Sequence, residues 1–270
     1  MTYAGARAVA ALLLLAIPAR ADVEPFSHVL LDSLLADRVD DRGRVDYSGL
    51  ARNPHRLDRY LAALAACSPE SGPERFPSDA DALAYWINAY NAFVLRGVLD
   101  SLPVDSVEEA EGGLEGFFRV RRFVAGGDSL SLDEIEHSII RPRYRDPRIH
   151  FAVNCAAVSC PALDSRAYAA ADLDEHLERQ TRRFALDPAH LKLENGRLRL
   201  SSIMDWYGAD FVEWFPRHRL KDPPSDPTLL DYLLLYLPQE QARTLRSAGE
   251  VAIDFVEYDW KLNRQPPGGG

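Results

Sequence analysis

The stretch DALAYWINAYNAFVLRGVLDSL, residues 81–102, is the longest helical pattern in the chain, and the other segments have to pack around it. Its apolar residues cover almost the whole circumference of a helix, and Pro103 ends the pattern. A helix that is apolar on all sides is stable in water only when other segments enclose it. The sequence therefore predicts that residues 81–102 form the central buried helix of the fold.

Two asparagines interrupt this apolar surface. Asn88 and Asn91 lie three residues apart and so share one face of the predicted helix. A buried amide left without a partner costs about 1–3 kcal/mol, so both side chains need hydrogen bonds. They either brace the backbone of neighbouring segments, as most buried polar groups do, or line a polar site.

The segments around this helix mix helical and strand patterns. Ser131 and Glu134 have the spacing of a capping box at the start of one helix. The predicted helices and strands follow no regular strand–helix–strand rhythm, so we expect an α+β fold, with the central buried helix packed against a mainly antiparallel sheet. Helices are predicted at 26–39, 54–67, 132–140, 173–187 and 227–238. Strands are predicted at 117–126, 148–154 and 251–260, with a hairpin around Asn195-Gly196.

The first 21 residues have the pattern of a secretory signal peptide. One basic residue precedes a short apolar run, and Ala19-Arg20-Ala21 matches a signal-peptidase site. An uncleaved anchor is the alternative, but the run is about half the ~20 residues that a membrane span needs. We expect cleavage after residue 21, one α+β domain over 22–263 and a disordered tail over 264–270. The mature protein would be periplasmic or secreted, without stable membrane insertion, and exposed to an oxidising environment.

The chain is acidic, with a net charge of −10, and loss of Arg7 and Arg20 with the signal peptide would make it −12. Such a surface repels phosphate backbones, so we expect no nucleic-acid partner. The sequence contains no glycine-rich phosphate loop, no G-x-S-x-G motif and no H-E-x-x-H motif, and we expect no cofactor. A small-molecule or peptide substrate in the cell envelope is the expected partner, and the oligomeric state is left open.

The stretch PRIHFAVNCAAVSCP, residues 147–161, contains one histidine and two cysteines, the side chains of this chain best suited to catalysis. As a strand, residues 148–154 would place His150 and Asn154 on one face. Cys160 precedes a proline, and proline is favoured in the first turn of a helix, where free N–H groups stabilise a thiolate. Cys160 is therefore the predicted nucleophile and His150 the predicted base.

Other residues complete this hypothetical thiol site. His137 is a second candidate base, and Asn88, Asn91 or Glu136 would orient an imidazole, as the third member of a papain-like or transglutaminase-like site does. In those enzymes the cysteine precedes the histidine in the sequence, whereas here the histidine comes first. The hypothesis therefore requires a permuted or an unrelated fold.

Two alternatives use the same residues. Cys155 and Cys160 are spaced so that a disulfide would close a short loop in an oxidising compartment. A Cys₂His₂ metal set of His137, His150, Cys155 and Cys160 has the wrong order and a loose spacing for structural zinc, so we predict no metal site.

Four arginines surround the candidate site: Arg141, Arg143, Arg145 and Arg148. Arg141 and Arg148, with Asn154, would bind a carboxylate of the substrate. The alternative is that these arginines pair with the many acidic residues of the chain.

Four segments together resemble the domain of unknown function 547 family: 85–107, 131–163, 200–211 and 258–263. They contain YWINAYNAFVLRGVLDSLPVDSV, SLDEIEHSIIRPRYRDPRIHFAVNCAAVSCPAL, LSSIMDWYGADF and YDWKLN. The resemblance implies an exported bacterial member of that family and implies no substrate.

From the residues themselves, we expect an exported thiol-dependent hydrolase or acyl transferase that acts on amide or thioester substrates. The alternative is a non-catalytic envelope binding module stapled by a Cys155–Cys160 disulfide.

Overall fold

The computed structural model describes residues 23–194, 196–219, 225–247 and 251–266, and only the backbone of residues 215–219. The predicted signal peptide lies outside the described residues. The fold is mixed α+β and mostly helical, with two small sheets. In the part of the chain that the structure describes, no helix has both the length and the apolar character needed to cross a membrane.

The helices account for most of the regular structure. In chain order they are α1 (Val29–Arg38), α2 (Tyr47–Arg52), α3 (His55–Ala66), α4 (Asp79–Ser101), α5 (Gly113–Glu115), α6 (Leu132–Glu134), α7 (Arg141–Tyr144), α8 (Leu173–Leu186), α9 (Ser202–Trp206), α10 (Gly208–Arg219), α11 (Leu229–Leu233) and α12 (Gln239–Ser247). Two π-helical segments, Gly116–Val120 and Ile135–Ile140, continue α5 and α6.

The strands form one hairpin and one three-stranded sheet. They are β1 (Phe123–Ala125), β2 (Asp128–Leu130), β3 (Leu191–Glu194), β4 (Arg197–Ser201) and β5 (Ala252–Val256). β1 and β2 pair antiparallel, β3 and β4 pair antiparallel, and β4 and β5 pair parallel. The predicted hairpin is confirmed: Glu194 pairs with Arg197, and Gly196 has the positive φ of 74° that a tight turn requires.

The central buried helix is confirmed as α4. The hydroxyl of Ser78 accepts from the Asp81 N–H and the carboxylate of Asp81 accepts from the Ser78 N–H, so a capping box starts the helix. Sixteen of the seventeen residues from Ala82 to Val98 are buried, so every face of this part of the helix is enclosed. Local capping and an all-round apolar surface are therefore enough to define this element.

The surroundings of α4 differ from the expected sheet. α4 packs among helices and against the small β1–β2 hairpin, where Phe93 stacks on Phe123 with ring centroids 4.8 Å apart. The three-stranded sheet belongs to a second apolar cluster, together with residues of α8 to α12. The larger sheet thus forms a core of its own with the C-terminal helices.

One predicted strand is wrong, and a second is confirmed only over its last residues. Residues 148–154 are not a strand, because Pro147–Phe151 forms a 3₁₀ helix. Asp146 caps that helix by accepting from the Arg148 N–H, and all five of its residues are buried, so the apolar pattern reflects burial on all sides rather than two faces of a sheet. In the predicted strand 117–126, the first half is π-helical and only Phe123–Ala125 pairs as a strand.

The start of the predicted disordered tail is wrong. The backbone N–H of Gln265 donates to the carbonyl of Val45, and its side-chain amide donates to the carbonyls of Arg38 and Arg44. Residues 264 and 265 are therefore attached to the domain, and residues 267–270 lie outside the described part of the chain.

Asn88 and Asn91 brace the backbone of distant segments, the first of the two expected roles. The Asn88 amide donates to the Tyr168 carbonyl at 2.8 Å and accepts from the Tyr168 N–H at 2.9 Å. The Asn91 amide donates to the Ala152 carbonyl at 2.9 Å and accepts from the Asn154 N–H at 2.8 Å. Each asparagine thus fixes one passing chain segment to α4.

We predict that Asn91→Ala lowers the free energy of unfolding by about 2–4 kcal/mol, because it leaves two buried backbone groups without partners. Urea unfolding followed by circular dichroism measures this change. Asn53→Ala is the matched control, since Asn53 is exposed and should change stability by less than about 0.5 kcal/mol. Equal unfolding midpoints for the two variants would contradict the bracing role.

Candidate thiol site

A cleft of about 390 Å³ opens between the two apolar clusters and contains both cysteines of the 147–161 stretch. Its aromatic walls are formed by Phe118, Trp206, Tyr207 and Trp260. The polar groups on its surface include Glu136, His137, His150, Cys155, Cys160 and Tyr258. The structure therefore brings together the two candidate histidines, Glu136 and both cysteines.

The loop from Asn154 to Cys160 is held rigidly from two directions. From α4, Asn91 fixes the Asn154 N–H, and the Asn154 side chain in turn accepts from the Ala156 N–H and donates to the Pro161 carbonyl at 2.7 Å. From the C-terminal segment, the N–H groups of Val158 and Ser159 donate to carbonyls of residues 261 and 259. Asn154, a predicted substrate-binding residue, is thus fully engaged in shaping the loop.

Ala156 carries backbone strain directly beside the first cysteine. Its φ of 65° lies in the left-handed region, which costs a residue with a Cβ atom about 1 kcal/mol. The bonds that anchor the loop on both sides hold this conformation. Such strain, maintained by the surrounding structure, is frequent at functional sites.

The cysteines of the chain are free thiols, so the structure contains no Cys155–Cys160 disulfide. The Cys155 N–H donates to the sulfur of Cys160 at 2.8 Å, and the sulfur of Cys155 lies 3.1 Å from the Tyr258 hydroxyl. Cys155 is partly exposed in the cleft, whereas Cys160 is buried. The two thiols therefore have different access to solvent.

The predicted helix after Cys160 is wrong. Residues 161–169, all of them described, form no helix, and α8 begins only after a 3₁₀ turn at Ala170–Asp172. Cys160 therefore has no helix N-terminus to stabilise its thiolate. The N–H group that its sulfur accepts from belongs to Cys155 instead.

The environment separates the acidities of the two thiols. Burial acts to raise the pKa of Cys155, but hydrogen bonds from Cys160, Tyr258 and the backbone of Ala157 hold that pKa below its usual value. Burial raises the pKa of Cys160 well above its usual value, and its hydrogen bond with Cys155 raises it further. Cys155 is therefore the more acidic thiol of the pair, and Cys160 is its neutral neighbour.

His150 pairs with a residue that the sequence did not single out. Its Nε2 lies 2.8 Å from Oδ2 of Asp210 in α10, and because a carboxylate only accepts, Nε2 carries the proton. Nδ1 is then the basic nitrogen; it is buried, has no hydrogen-bond partner among the described residues, and lies 3.7 Å from Oε1 of Glu136. The ring also stacks on Tyr207, with centroids 3.8 Å apart.

The charges of this pair follow from its surroundings. Burial lowers the pKa of His150, and the hydrogen bond to Asp210 only partly opposes that effect. Burial acts to raise the pKa of Asp210, but hydrogen bonds from His150 and Arg141 hold it well below its usual value. His150 is therefore a neutral imidazole, oriented by an ionised carboxylate.

The arginines pair with acidic groups. Arg141 makes two hydrogen bonds to Asp210, at 2.8 and 3.0 Å, and a third contact with Nδ1 of His137 at 2.9 Å. Arg148 is buried and pairs with Asp146 and Asp174, each at 2.7 Å. Arg141 thus acts on the site by fixing Asp210, and Arg148 is held by its two carboxylate partners.

The remaining predicted orienting residues have other partners. Asn88 and Asn91 use both ends of their amides on backbone groups, as described above. Glu136 is buried and receives a hydrogen bond from the Tyr207 hydroxyl. In the described ranges, no three or more His, Cys, Asp and Glu side chains are grouped so as to hold a metal ion.

The comparisons with known proteins identify one region of the chain. Residues 74–185 match the model of the family described as protein of unknown function, DUF547. These residues form a DUF547 domain. Neither the search of curated proteins nor the search of solved structures gave a match.

The DUF547 domain supplies only part of the site. Glu136, His150 and both cysteines lie inside the matched residues, whereas Asp210 and Tyr258 lie after them. Sequence reasoning missed these two residues, although MDWYGADF and YDWKLN, the segments that contain them, belong to the motifs that indicated the family. Aromatic-rich motifs outside the matched DUF547 region are the signal that points to them.

We predict that Cys155 is alkylated by iodoacetamide at a pH below the usual thiol pKa of about 8.5. Tyr258→Phe or Cys160→Ala each removes one hydrogen bond to the thiolate and should raise the labelling midpoint by about 1–2 pH units. Peptide mapping of native protein across pH measures the midpoint.

Tyr207→Phe is the matched control for Tyr258→Phe, because the Tyr207 hydroxyl bonds to Glu136 rather than to sulfur. It should leave the labelling midpoint of Cys155 unchanged, and the buried Cys67 should stay unlabelled in every native sample. A midpoint that does not move in Tyr258→Phe and Cys160→Ala would contradict the assignment of the thiolate to Cys155.

Proposed function

We propose that the protein is a thiol-dependent hydrolase or acyl transferase, with Cys155 as the nucleophile and His150 as the base. The substrate class is an amide or a thioester. We further propose that the protein is exported and acts in the cell envelope, because of the signal-peptide pattern in residues 1–21.

One observation carries the proposal. The sulfur of Cys155, a residue that is partly exposed, receives hydrogen bonds from several donors in a cleft that also contains a neutral imidazole oriented by a carboxylate. A stabilised thiolate with a base held in one tautomer is the arrangement that nucleophilic acyl chemistry requires. A purely structural cysteine needs neither feature.

The first chemical step uses the thiolate directly. The Cys155 sulfur attacks the carbonyl carbon of the substrate and forms a tetrahedral intermediate. Collapse of this intermediate expels a thiolate, or an amine whose nitrogen takes a proton from water, and leaves an acyl thioester on Cys155. Tyr258, whose hydroxyl lies 3.1 Å from this sulfur, is a neutral donor because burial raises the pKa of its hydroxyl. It is therefore suited to donate a hydrogen bond to the oxyanion.

The second step needs a base. Nδ1 of His150 accepts a proton from water, or from an acceptor alcohol or amine, as that nucleophile attacks the thioester and frees Cys155. Asp210 is a positioning residue, since its carboxylate keeps the proton on Nε2 and so keeps Nδ1 available. The lowered pKa of His150 extends the basic form below pH 6.5.

We propose that the protein shares a set of catalytic side chains with papain-like or transglutaminase-like enzymes, in a permuted order along the chain. In this chain the nucleophile follows a 3₁₀ helix, while the central helix α4 contributes the bracing asparagines. The proposal therefore concerns a thiol, an imidazole and an orienting carboxylate, in whichever order the chain supplies them.

The test uses p-nitrophenyl acetate as an acyl probe, with rapid-mixing detection of nitrophenolate and mass spectrometry of the acylated protein. Wild type should give a burst and an acetyl group on Cys155, and Cys155→Ser should give neither. His150→Gln should keep the burst and slow the steady-state rate roughly a hundredfold, because a missing base affects deacylation.

The positioning role of Asp210 has its own readout. Because its hydrogen bond raises the pKa of His150, Asp210→Asn should move the acid limb of the steady-state pH profile to lower pH as well as reduce the rate. His137→Gln is the matched control, since this histidine lines the same cleft but contacts Arg141 instead. A burst that survives in Cys155→Ser would rule out the proposal, and absence of any acylation would favour a binding module.

A further inference from the structure

The neighbouring Cys160 has no assigned task in acyl transfer beyond its hydrogen bond. It is buried, it remains protonated, and its sulfur is held 2.8 Å from the backbone nitrogen of Cys155. Because the N–Cα bond is about 1.46 Å long, this sulfur lies no more than about 4.3 Å from the Cα atom of Cys155. The sulfur of Cys160 therefore lies against the backbone of Cys155, within reach of that side chain.

We propose that Cys155 and Cys160 form a hydroperoxide-reactive pair, in which Cys155 is the site of oxidation and Cys160 is the resolving thiol. The inference uses the same thiolate as the proposed function but none of its acyl chemistry. It assigns a reversible modification site to a pair of residues that are reduced in the structure.

The division of roles follows from the contacts. Oxidation requires an accessible thiolate, and Cys155 is partly exposed and stabilised by its donors. Resolution requires a thiol close to that sulfur and shielded from the oxidant, and Cys160 is 6 % exposed. Cys67 is a third thiol without this arrangement, since the hydrogen bond of its sulfur among the described residues goes to the carbonyl of Ser68, at 3.9 Å.

The chemistry balances in two steps. The Cys155 thiolate attacks the distal oxygen of a hydroperoxide, the O–O bond breaks, and the sulfur becomes a sulfenic acid while the leaving alkoxide or hydroxide takes a proton from water. The sulfur of Cys160 then attacks the sulfur of the sulfenic acid, losing its proton, and water leaves as the S–S bond forms. One hydroperoxide is reduced for each disulfide that forms.

The loop keeps the pair in register. The left-handed Ala156 and the bonds of residues 158 and 159 to the C-terminal segment fix the residues between the two cysteines. The sulfur of Cys160 already lies 2.8 Å from the backbone nitrogen of Cys155, so we expect the change from thiol pair to disulfide to be mainly a side-chain rotation. The disulfide would remove the thiolate from the cleft and protect it from irreversible oxidation until a thiol reductant restores it.

The experiment exposes the full-length protein to hydrogen peroxide, and separately to cumene hydroperoxide, with dimedone present to trap sulfenic acid. Peptide mapping then quantifies the species at each cysteine. Wild type should lose two mass units as an internal 155–160 disulfide, reversed by dithiothreitol, with little dimedone adduct. Cys160→Ser and Cys160→Ala should instead give dimedone-labelled or sulfinic Cys155, with roughly a tenfold higher trapped fraction.

Two further variants complete the test. Cys155→Ser should leave Cys160 as a thiol under the same treatment, and Cys67→Ser should behave as wild type. Melting curves will check that each variant is folded. The pairing of Cys155 with Cys160 is decided by the wild-type protein alone, so it does not depend on the folding of any variant. The proposal would be overturned if wild-type Cys155 were trapped by dimedone to the same fraction as Cys155 in the Cys160 variants. Oxidation of Cys160 while Cys155 stays reduced would also overturn it.

This test and the acylation test have separate outcomes. A disulfide without any acetyl burst would reject the proposed function and leave the redox pair standing. A burst on Cys155 without a peroxide-induced disulfide would reject the redox pair and leave the proposed function standing.

Discussion

The hydrogen bonds of Asn91 are the interaction on which the site depends. This amide sits on the most buried helix of the molecule and binds both the Ala152 carbonyl and the Asn154 N–H. The loop that carries the cysteines is thereby attached to the rigid centre of the fold rather than to the surface. A polar group in such a helix is retained because an unpaired backbone donor and acceptor would cost more than burying the amide.

Burial disfavours the charged form of each titratable group in the cleft, but hydrogen bonds decide how far each group follows it. Burial disfavours charge on His150 and Cys160, which therefore stay neutral. Cys155 is also buried enough to resist ionisation, but the donors around its sulfur outweigh that penalty. Hydrogen-bond donors, rather than a nearby cation, thus determine which thiol is reactive. The result is a site with one acidic thiol, one neutral imidazole and one neutral thiol in a single cleft.

Elements defined by neighbouring residues could be predicted from the sequence. The capping boxes of Ser78 with Asp81 and of Ser131 with Glu134, and the turn at Gly196, all depend on contacts over a few positions. The secondary structure of residues 148–154 could not be predicted in this way, since alternating apolar residues fit either a strand or a short helix buried on all sides. Its 3₁₀ form depends on Asp146 and on the residues that surround it.

The residues of the candidate site also fall into those that the sequence indicated and those that only the structure revealed. The sequence indicated His150, Glu136 and the cysteine pair, because they occur close together in unusual combinations, but it assigned the nucleophile to Cys160 from a helix that does not form. The partners that set the chemistry are remote: Asp210 lies 60 residues after His150, and Tyr258 lies 103 residues after Cys155. No local pattern specifies such contacts.

The sequence by itself determined the buried helix α4, the mixed α+β class and the residue types available for thiol chemistry, because composition and short-range periodicity fix these properties. Only the tertiary structure decided which sulfur is the thiolate and which carboxylate orients the imidazole. Those choices depend on burial and on hydrogen bonds between distant segments, and both exist only once the chain has folded.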